Sequence, residues 1–379
     1  MVSLKNCSID KFISYAKGKK VYAFGAGQYI RQKSDLSFKY NNIEKTIFKF
    51  TDNDSNKWGK DYIVNDYAIP IISTDDFVRS INKNDIILIS SYYSYPDVVE
   101  QLDKIDALDG IDCFIFPYVY EYFVDNVVDN EKLKNSKEKE PQIPKKIHYV
   151  WFGGNEMSDK LKKCMESWYK FCPDYEIIRW DESNYDVTKN QFIKSAYEAK
   201  KYSKVSNYTR LDIVYNNGGI YLDNDVEIIK PLDDLLFHQA FAGFRNCIKK
   251  IEIGSGFGGK KHFELFREIR ECCGDESYSD EYNTKVHIAS HNLLYTKGFL
   301  PDNSFQCVNG LSIYPTCFFN PLNSVTGILK ITDDTYSIHW FTYSWDSHIR
   351  DNMNRRLKFY NKNKDRISDI ETMDFWRPN

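Results

Sequence analysis

Nowhere in this 379-residue chain do even about 18 apolar residues follow one another, the least a membrane-spanning helix needs. The charged-then-apolar opening of a secretory signal is missing too. The expectation is therefore a soluble, cytoplasmic protein. Cysteine is scattered: there are nine residues, with no C-x-x-C pair and no His/Cys cluster at zinc-ligand spacing. That argues against a zinc module, and the odd count points to a reducing compartment. Charge of one sign is scarce as well. A formal net charge of -3 gives no electrostatic footprint for a nucleic-acid partner. What the chain does have is 42% hydrophobic and 16% aromatic residues. Those suffice for two cores at this length.

The first part, residues 1–128, reads as a Rossmann-like domain. A short amphipathic helix is expected over residues 1–18, on Ile9, Phe12, Ile13 and Ala16. Apolar strands follow at 20–24, 46–50, 85–90 and 111–116, with helices expected at 28–40, 74–81 and 96–105. Strand and helix in alternation imply a parallel sheet. Gly25-Ala26-Gly27 follows the first strand and could present backbone N–H groups to a phosphate. Asp52, closing the second strand, stands where an acid often meets a ribose. The G-x-G-x-x-G fingerprint is incomplete, because Ile30 replaces its third glycine. Nucleotide binding and a purely structural role both stay open here. Residues 129–142 are polar, charged and proline-bearing, and are expected to form a linker. Residues 143–379 form the second domain. It ends in a basic helical stretch over 349–366 that could rest on an anionic membrane surface, although charge runs are ordinarily solvated faces.

The most informative stretch is residues 205–231. Val205, Tyr208, Leu211 and Tyr215 have helical spacing and predict one apolar stripe. Asn207 and Arg210, three apart, share another face. Asn217-Gly218-Gly219 predicts the helix end. A short buried strand, Ile220-Tyr221-Leu222, then runs into Asp223-Asn224-Asp225. Residues two apart in extended chain point the same way, so Asp223 and Asp225 aim two carboxylates at one point just past a strand end. Two such charges call for a hard divalent ion between them, which could also hold a diphosphate. Alone, a D-x-D is more often a polar turn.

The context of that motif is ordered along the chain. Ile143-Pro144-Lys145-Lys146-Ile147-His148-Tyr149-Val150-Trp151 precedes it, then Trp180-Asp181-Glu182-Ser183-Asn184, then Ser206-Asn207-Tyr208-Thr209-Arg210. After it come Tyr314-Pro315 and the run from His339 to Ser344-Trp345. This set resembles glycosyltransferase family 32, with Asn207 where the family usually carries Asp. The resemblance implies a GT-A-type α/β catalytic domain that transfers a hexose, with retention of configuration, from a nucleoside diphosphate sugar of the UDP type. The implied acceptor is a glycan or lipid-linked oligosaccharide in capsular or surface polysaccharide synthesis. It implies Mn²⁺ or Mg²⁺ held by Asp225, Asp223 and His339, with Asp223, Asp225 and Arg210 as the catalytic set. By the same resemblance Trp151 is expected to stack on the base, and Asn207, Arg210, Asp223, Ser344 and Trp345 to contact the donor. Contact with the inner face of a membrane would be peripheral.

Other readings remain at this point. A metal-dependent phosphoesterase would need a second carboxylate cluster. A silent sugar-nucleotide binder would keep Trp151 and Asp225 without turnover. A transferase acting on a protein acceptor, or a Rossmann oxidoreductase using Gly25-Ala26-Gly27, completes the set.

Overall fold

The structure is a computed structural model, and it describes residues 1–27, 43–64, 67–122, 130–245, 250–252, 256–342 and 347–371. The chain divides into two compact units. One comprises Met1–Val124, Val325–Gly327 and Asp351–Asn379; the other comprises Asp125–Ser324 and Ile328–Arg350. Both are α/β.

The first unit is built on β1 (Ser3–Asn6), β2 (Val21–Phe24), β3 (Ile47–Thr51), β4 (Asp61–Val64), β5 (Tyr67–Ile72), β6 (Ile86–Ile89) and β7 (Asp112–Ile115). The sheet order is β1-β7-β6-β2-β3-β5-β4. Every pair is parallel except β4 with β5. β2 lies between β6 and β3, so the winding reverses there, as a Rossmann-like sheet requires. Strands β2 and β6 are buried at every position, the mark of a parallel sheet covered on both faces.

Two local expectations change. The first residues form strand β1 before the helix Ile9–Tyr15, which Ser8 caps by accepting from the Lys11 amide. The expected helix over 28–40 lies outside the described residues. The hairpin of β4 with β5 was not foreseen.

The chain's end belongs to this first unit. A two-residue strand, Ser368–Asp369, pairs parallel to β1 and extends the sheet. Ile370 enters the same core as Phe12 and Phe114. Arg366 grips Asp103 with two hydrogen bonds, at 2.6 and 2.8 Å, and donates to the Val2 carbonyl at 2.9 Å. Burial works to raise the Asp103 carboxyl, but the Arg366 bond and charge and the Val2 amide outweigh it and hold the acid below its ordinary value. The basic helix Ser347–Asn363 is therefore no bare cationic face. Arg355 pairs with Asp97 and Lys362 with Glu100, while Arg356 lies over the Tyr92 ring at 4.5 Å. Among the described residues no helix is long and apolar enough to cross a membrane.

Replacing Arg366 by Ala should lower the stability of the first unit by roughly 2 kcal/mol, since hydrogen bonds to charged groups carry about 1.5–3 kcal/mol. Urea melts of the variant against wild type check this; an unchanged midpoint would mean the C-terminal strand holds without the pair.

The second unit carries β8 (Lys146–Val150), β9 (Glu176–Trp180), β10 (Gly219–Tyr221), β11 (Val226–Ile228), β12 (Ala240–Arg245), β13 (Lys250–Glu252), β14 (Phe257–Gly259), β15 (Gln306–Val308), β16 (Leu311–Tyr314) and β17 (Ser337–His339). The main sheet runs β15-β16-β12-β14-β10-β8-β9, and β11 with β17 forms a separate antiparallel ribbon. β8, β9 and β10 are parallel, and β14 is antiparallel to both β10 and β12. The sheet is thus mixed, and β8, β10 and β12 end on the same edge.

The helix Tyr202–Asn217 is the centre of this unit. Its middle, from Val205 to Val214, is buried at every residue but Asn207. The expected single apolar stripe is therefore too narrow a description: the helix is enclosed nearly all round. Residues 191–204 do not form one helix. Gln191–Glu198 is helical, then Lys200 adopts a left-handed φ of 55° and the chain turns.

The polar stretch expected to be a linker is docked on the second unit. Asn130–Asn135 is helical, and the Glu138 and Gln142 amides donate to the carbonyls of Phe237 and Leu236. Backbone groups that find partners in this way are not left to solvent, which is why a polar composition alone misled.

Candidate active site

The glycines before the D-x-D are fixed by the backbone. Gly218, at φ 67°, caps the helix with its amide on the Val214 carbonyl. Gly219, at φ 112°, lies so close to β8 that a Cβ there would stand 2.8 Å from the His148 Nε2 and 2.9 Å from the Lys146 carbonyl. Only glycine satisfies both demands. The turn delivers the chain into β10 and places Asp223 just past its C-terminal end.

The two aspartates then part. Asp223 belongs to a network made by the central helix. Its Oδ1 accepts from the Tyr221 hydroxyl at 3.1 Å and pairs with the Arg210 guanidinium at 3.1 Å. Arg210 lies over the Tyr221 ring, 5.0 Å from its centre, and donates to the Ser206 carbonyl and hydroxyl. Arg210 is thus the lock on Asp223. Asn207, one turn earlier, is partly exposed.

Asp225 belongs to the β11–β17 ribbon. Register sets Val226 opposite His339, which brings the His339 Nε2 to 3.1 Å from the Asp225 Oδ1. The other oxygen, Oδ2, accepts from the Thr342 amide at 2.7 Å and its hydroxyl at 3.0 Å. Between these partners sits Phe341, at φ 47°, with its ring stacked on His339 at 4.0 Å. A left-handed backbone is strained for a bulky residue, and here it turns Thr342 back onto Asp225. Burial acts to raise the Asp225 carboxyl. The attraction and hydrogen bond of His339, with the two Thr342 bonds, outweigh it and hold the acid well below the usual carboxylate range.

These contacts bear on metal binding. Asp225 and His339 offer one carboxylate oxygen and one imidazole nitrogen at one point, a donor set that suits a manganese-like ion. Asp223 is engaged through Oδ1 by Arg210 and Tyr221. Among the described residues no three His, Cys, Asp or Glu side chains converge as a cluster. Two protein ligands do fit an ion that completes its shell with substrate phosphates and water.

Trp151 follows β8 on the same sheet edge. β8 is the parallel neighbour of β10, with His148 opposite Tyr221, and Trp151 comes directly after the last residue of β8. Its indole N–H is taken by the Asn155 carbonyl at 2.7 Å, and the ring is partly exposed. Gly153, at φ 85°, approaches the Tyr202 ring so closely that a Cβ would stand 2.4 Å from it. The turn after β9 is where sequence put it: Asp181 accepts from the Ser183 amide at 2.9 Å, and the Asn184 Oδ1 accepts from the Asp181 amide at 2.9 Å. From that turn Glu182 accepts from the Gly153 amide at 2.6 Å and the Tyr197 hydroxyl at 2.9 Å, pinning the loop beyond Trp151. Ser344 and Trp345 lie outside the described residues.

Sequence reasoning missed Asp212. Two residues past Arg210 and only 2% exposed, it accepts from the Tyr185 hydroxyl and pairs with Arg270 and Lys189. It clamps the helix that carries Arg210. No local signal marks it, since its partners come from two other segments, the loop that carries Tyr185 and Lys189 and the helix that carries Arg270. In the first unit Asp52 accepts from the Ala26 amide at 2.7 Å and pairs with Lys57 at 2.9 Å, so the acid foreseen for a ribose buckles the glycine turn instead.

Residues 158–242 match a family model described as a glycosyltransferase sugar-binding region containing a DXD motif. Inositol phosphoceramide mannosyltransferase 3 of Schizosaccharomyces pombe is 34% identical over 122 residues, 31% of this chain and 33% of the relative. The chain thus spans about a third of that relative's length. An uncharacterised glycosyltransferase of Acanthamoeba polyphaga mimivirus is 27% identical over 222 residues, 55% of this chain and 86% of the relative. Among solved structures the PaToxG glycosyltransferase aligns at TM-score 0.35 and 15% identity, over 45% of this chain and 75% of that one. The stretch matched by the family model lies in the second unit and includes Asp223 and Asp225.

Proposed function

We propose that the chain is a metal-dependent, retaining glycosyltransferase that moves a hexose from a nucleoside diphosphate sugar, of the UDP type, to a glycan acceptor. Capsular or other surface polysaccharide synthesis is the setting this reading favours. The observation that carries it is the division of labour between the two aspartates. Asp223 is locked to Arg210 and Asp225 to His339, just past β10, whose parallel neighbour β8 ends directly before Trp151.

In this reading the Trp151 ring takes the base. Asp223, held by Arg210 and Tyr221, meets a ribose or sugar hydroxyl, and the Asn207 amide meets another. Asp225 and His339 would hold a manganese or magnesium ion, whose chemistry when bound would be to offset negative charge on the diphosphate. Ser344 and Trp345 close over the donor by resemblance. The bond from the anomeric carbon to the diphosphate oxygen breaks, and the acceptor oxygen bonds to that carbon from the same face. The acceptor proton passes to the leaving phosphate. No carboxylate is assigned as nucleophile.

Trp151→Ala should weaken UDP and UDP-sugar binding together, by the roughly 1–3 kcal/mol that stacking on an aromatic ring provides. Stacking is equal in ground and transition states, so KM should rise with kcat little changed. Calorimetric titration with UDP in Mn²⁺ checks this, and an unchanged affinity in folded variant would remove the base from Trp151.

A further inference from the structure

The ribbon that brings His339 to Asp225 is short. It has two strands of three residues each, and among the described residues no third strand pairs with it. A two-stranded ribbon is marginal unless something packs against it. On the β11 side the helix Asp159–Phe171 gives that support. The Trp168 indole donates to the Val226 carbonyl at 2.7 Å, and the Ile228 amide donates to the Ser167 hydroxyl at 2.8 Å.

The other strand leaves the ribbon through Phe341, at its left-handed φ of 47°. A bulky residue keeps such a backbone only where the surrounding structure over-determines it. Thr342, on one side, is held by its two bonds to the Asp225 Oδ2. Trp340, on the other side, is also held twice. Its amide donates to the Asp225 carbonyl at 3.0 Å, and its indole N–H donates to the Glu227 Oε2 at 2.8 Å. Glu227 lies opposite Ile338, so Trp340, two residues further on, is its diagonal neighbour across the ribbon. Lys160, in the first turn of the supporting helix, lies 5.6 Å from the centre of the Trp340 ring. The indole is thus gripped at its edge by Glu227 and met on its face by Lys160.

We propose that Glu227 is a positioning residue: by holding the Trp340 indole it fixes the turn that sets His339 and Thr342 on Asp225. It acts as the acceptor of one hydrogen bond, not as a charge. The consequence for the ion rests on the metal reading above. Asp225 and His339 form a pair that is in place before the ion arrives, and a preorganised pair binds more tightly than one the ion must assemble.

The test uses the full chain and two readouts: Mn²⁺ affinity, from the paramagnetic resonance signal of the free ion, and hydrogen exchange of the Thr342 amide without metal. Glu227→Ala should weaken Mn²⁺ at least about tenfold and speed Thr342 exchange, with a melting curve confirming that the variant folds. Glu227→Gln keeps an acceptor and should restore both. Trp340→Phe keeps a ring but removes the donor, so it should match Glu227→Ala, and the double variant should lose no more than either single one. Unchanged Mn²⁺ affinity in folded Glu227→Ala would overturn the proposal. So would a Glu227→Gln variant as weak as Glu227→Ala, because the carboxylate would then act through its charge. Wild-type protein that ignores Mn²⁺, yet exchanges Thr342 faster once Glu227 is replaced, would keep the positioning role and remove the metal reading instead. If it ignores Mn²⁺ and exchange is also indifferent to Glu227, both fall.

Discussion

Asp225→Asn should abolish most sugar transfer while leaving the fold intact. The side chain keeps its shape but loses the charge that faces His339 at 3.1 Å, and one oxygen can still accept from Thr342. That charge matters most as the bond to the diphosphate breaks, so kcat should fall more than donor affinity. Each tenfold in rate is about 1.4 kcal/mol, and loss of a direct metal ligand should cost at least ~3 kcal/mol, more than a hundredfold. Asp223→Asn should act differently. It removes the partner of Arg210, so it should weaken donor binding as well as turnover. Steady-state kinetics of both variants, with Mn²⁺ titrated, check this. Asp225→Asn with near wild-type activity would take the metal away from this position.

The second unit should lose stability steeply between about pH 6.5 and pH 4, on account of two buried histidines. His148 and His238 are both fully buried. The Trp180 indole can only donate, so the His148 Nδ1 accepts from it at 3.2 Å and Nε2–H donates to the Gly218 carbonyl at 2.8 Å. In His238 the Nδ1–H faces the Ser136 carbonyl at 3.2 Å, which can only accept, so Nε2 accepts from the Tyr314 hydroxyl at 2.7 Å. A second proton on His148 would face the Trp180 N–H, and one on His238 would require the Tyr314 hydroxyl to turn and accept instead of donate. Burial pulls both down to about 4 from the usual 6.5, with the carbonyls of Gly218 and Ser136 pulling weakly the other way. The folded value is depressed, so the unfolded chain takes up protons first. The stability is complete above pH ~6.5 and is lost as pH falls to about 4, by roughly 3 kcal/mol for each ring. Hydrogen exchange of the β8 and β9 amides at pH 7 and pH 5 reads this directly. Equal opening free energies at the two pH values would contradict it, and His238→Gln should remove about half of the slope.

The local parts of the site were legible in the sequence for local reasons. Gly218-Gly219 and the apolar run before Asp223 announce a helix end and a short strand by chain chemistry alone, and both are there. The Asp181–Asn184 turn is a product of side chains bonding to their own backbone. The alternation of apolar strands and helices in the first part likewise gave its α/β winding. Long-range pairing was not legible. His339 reaches Asp225 only through the register of β11 with β17, two strands of three residues each. Arg366 and the strand Ser368–Asp369 close a sheet that begins at the other end of the chain, and no periodicity reports that. The central helix misled for a related reason. Polar residues such as Ser206, Thr209, Arg210 and Asp212 are buried because each finds a partner, so polarity did not mark an outer face. Asp52 shows the converse, a residue at a ligand-binding position in the winding that the unit's own lysine and amide occupy.

The central claim is that this sheet edge holds a nucleoside diphosphate sugar through a divalent ion at Asp225 and His339. It is tested most directly by incubating the full-length chain with a panel of nucleotide sugars, with Mn²⁺ and with excess EDTA, and measuring slow release of free sugar and nucleoside diphosphate. The account predicts release from at least one UDP-sugar in Mn²⁺, lost in EDTA and in Asp225→Asn. Release that persists undiminished in EDTA, or a folded protein that neither binds nor hydrolyses any nucleotide sugar in Mn²⁺, would contradict it.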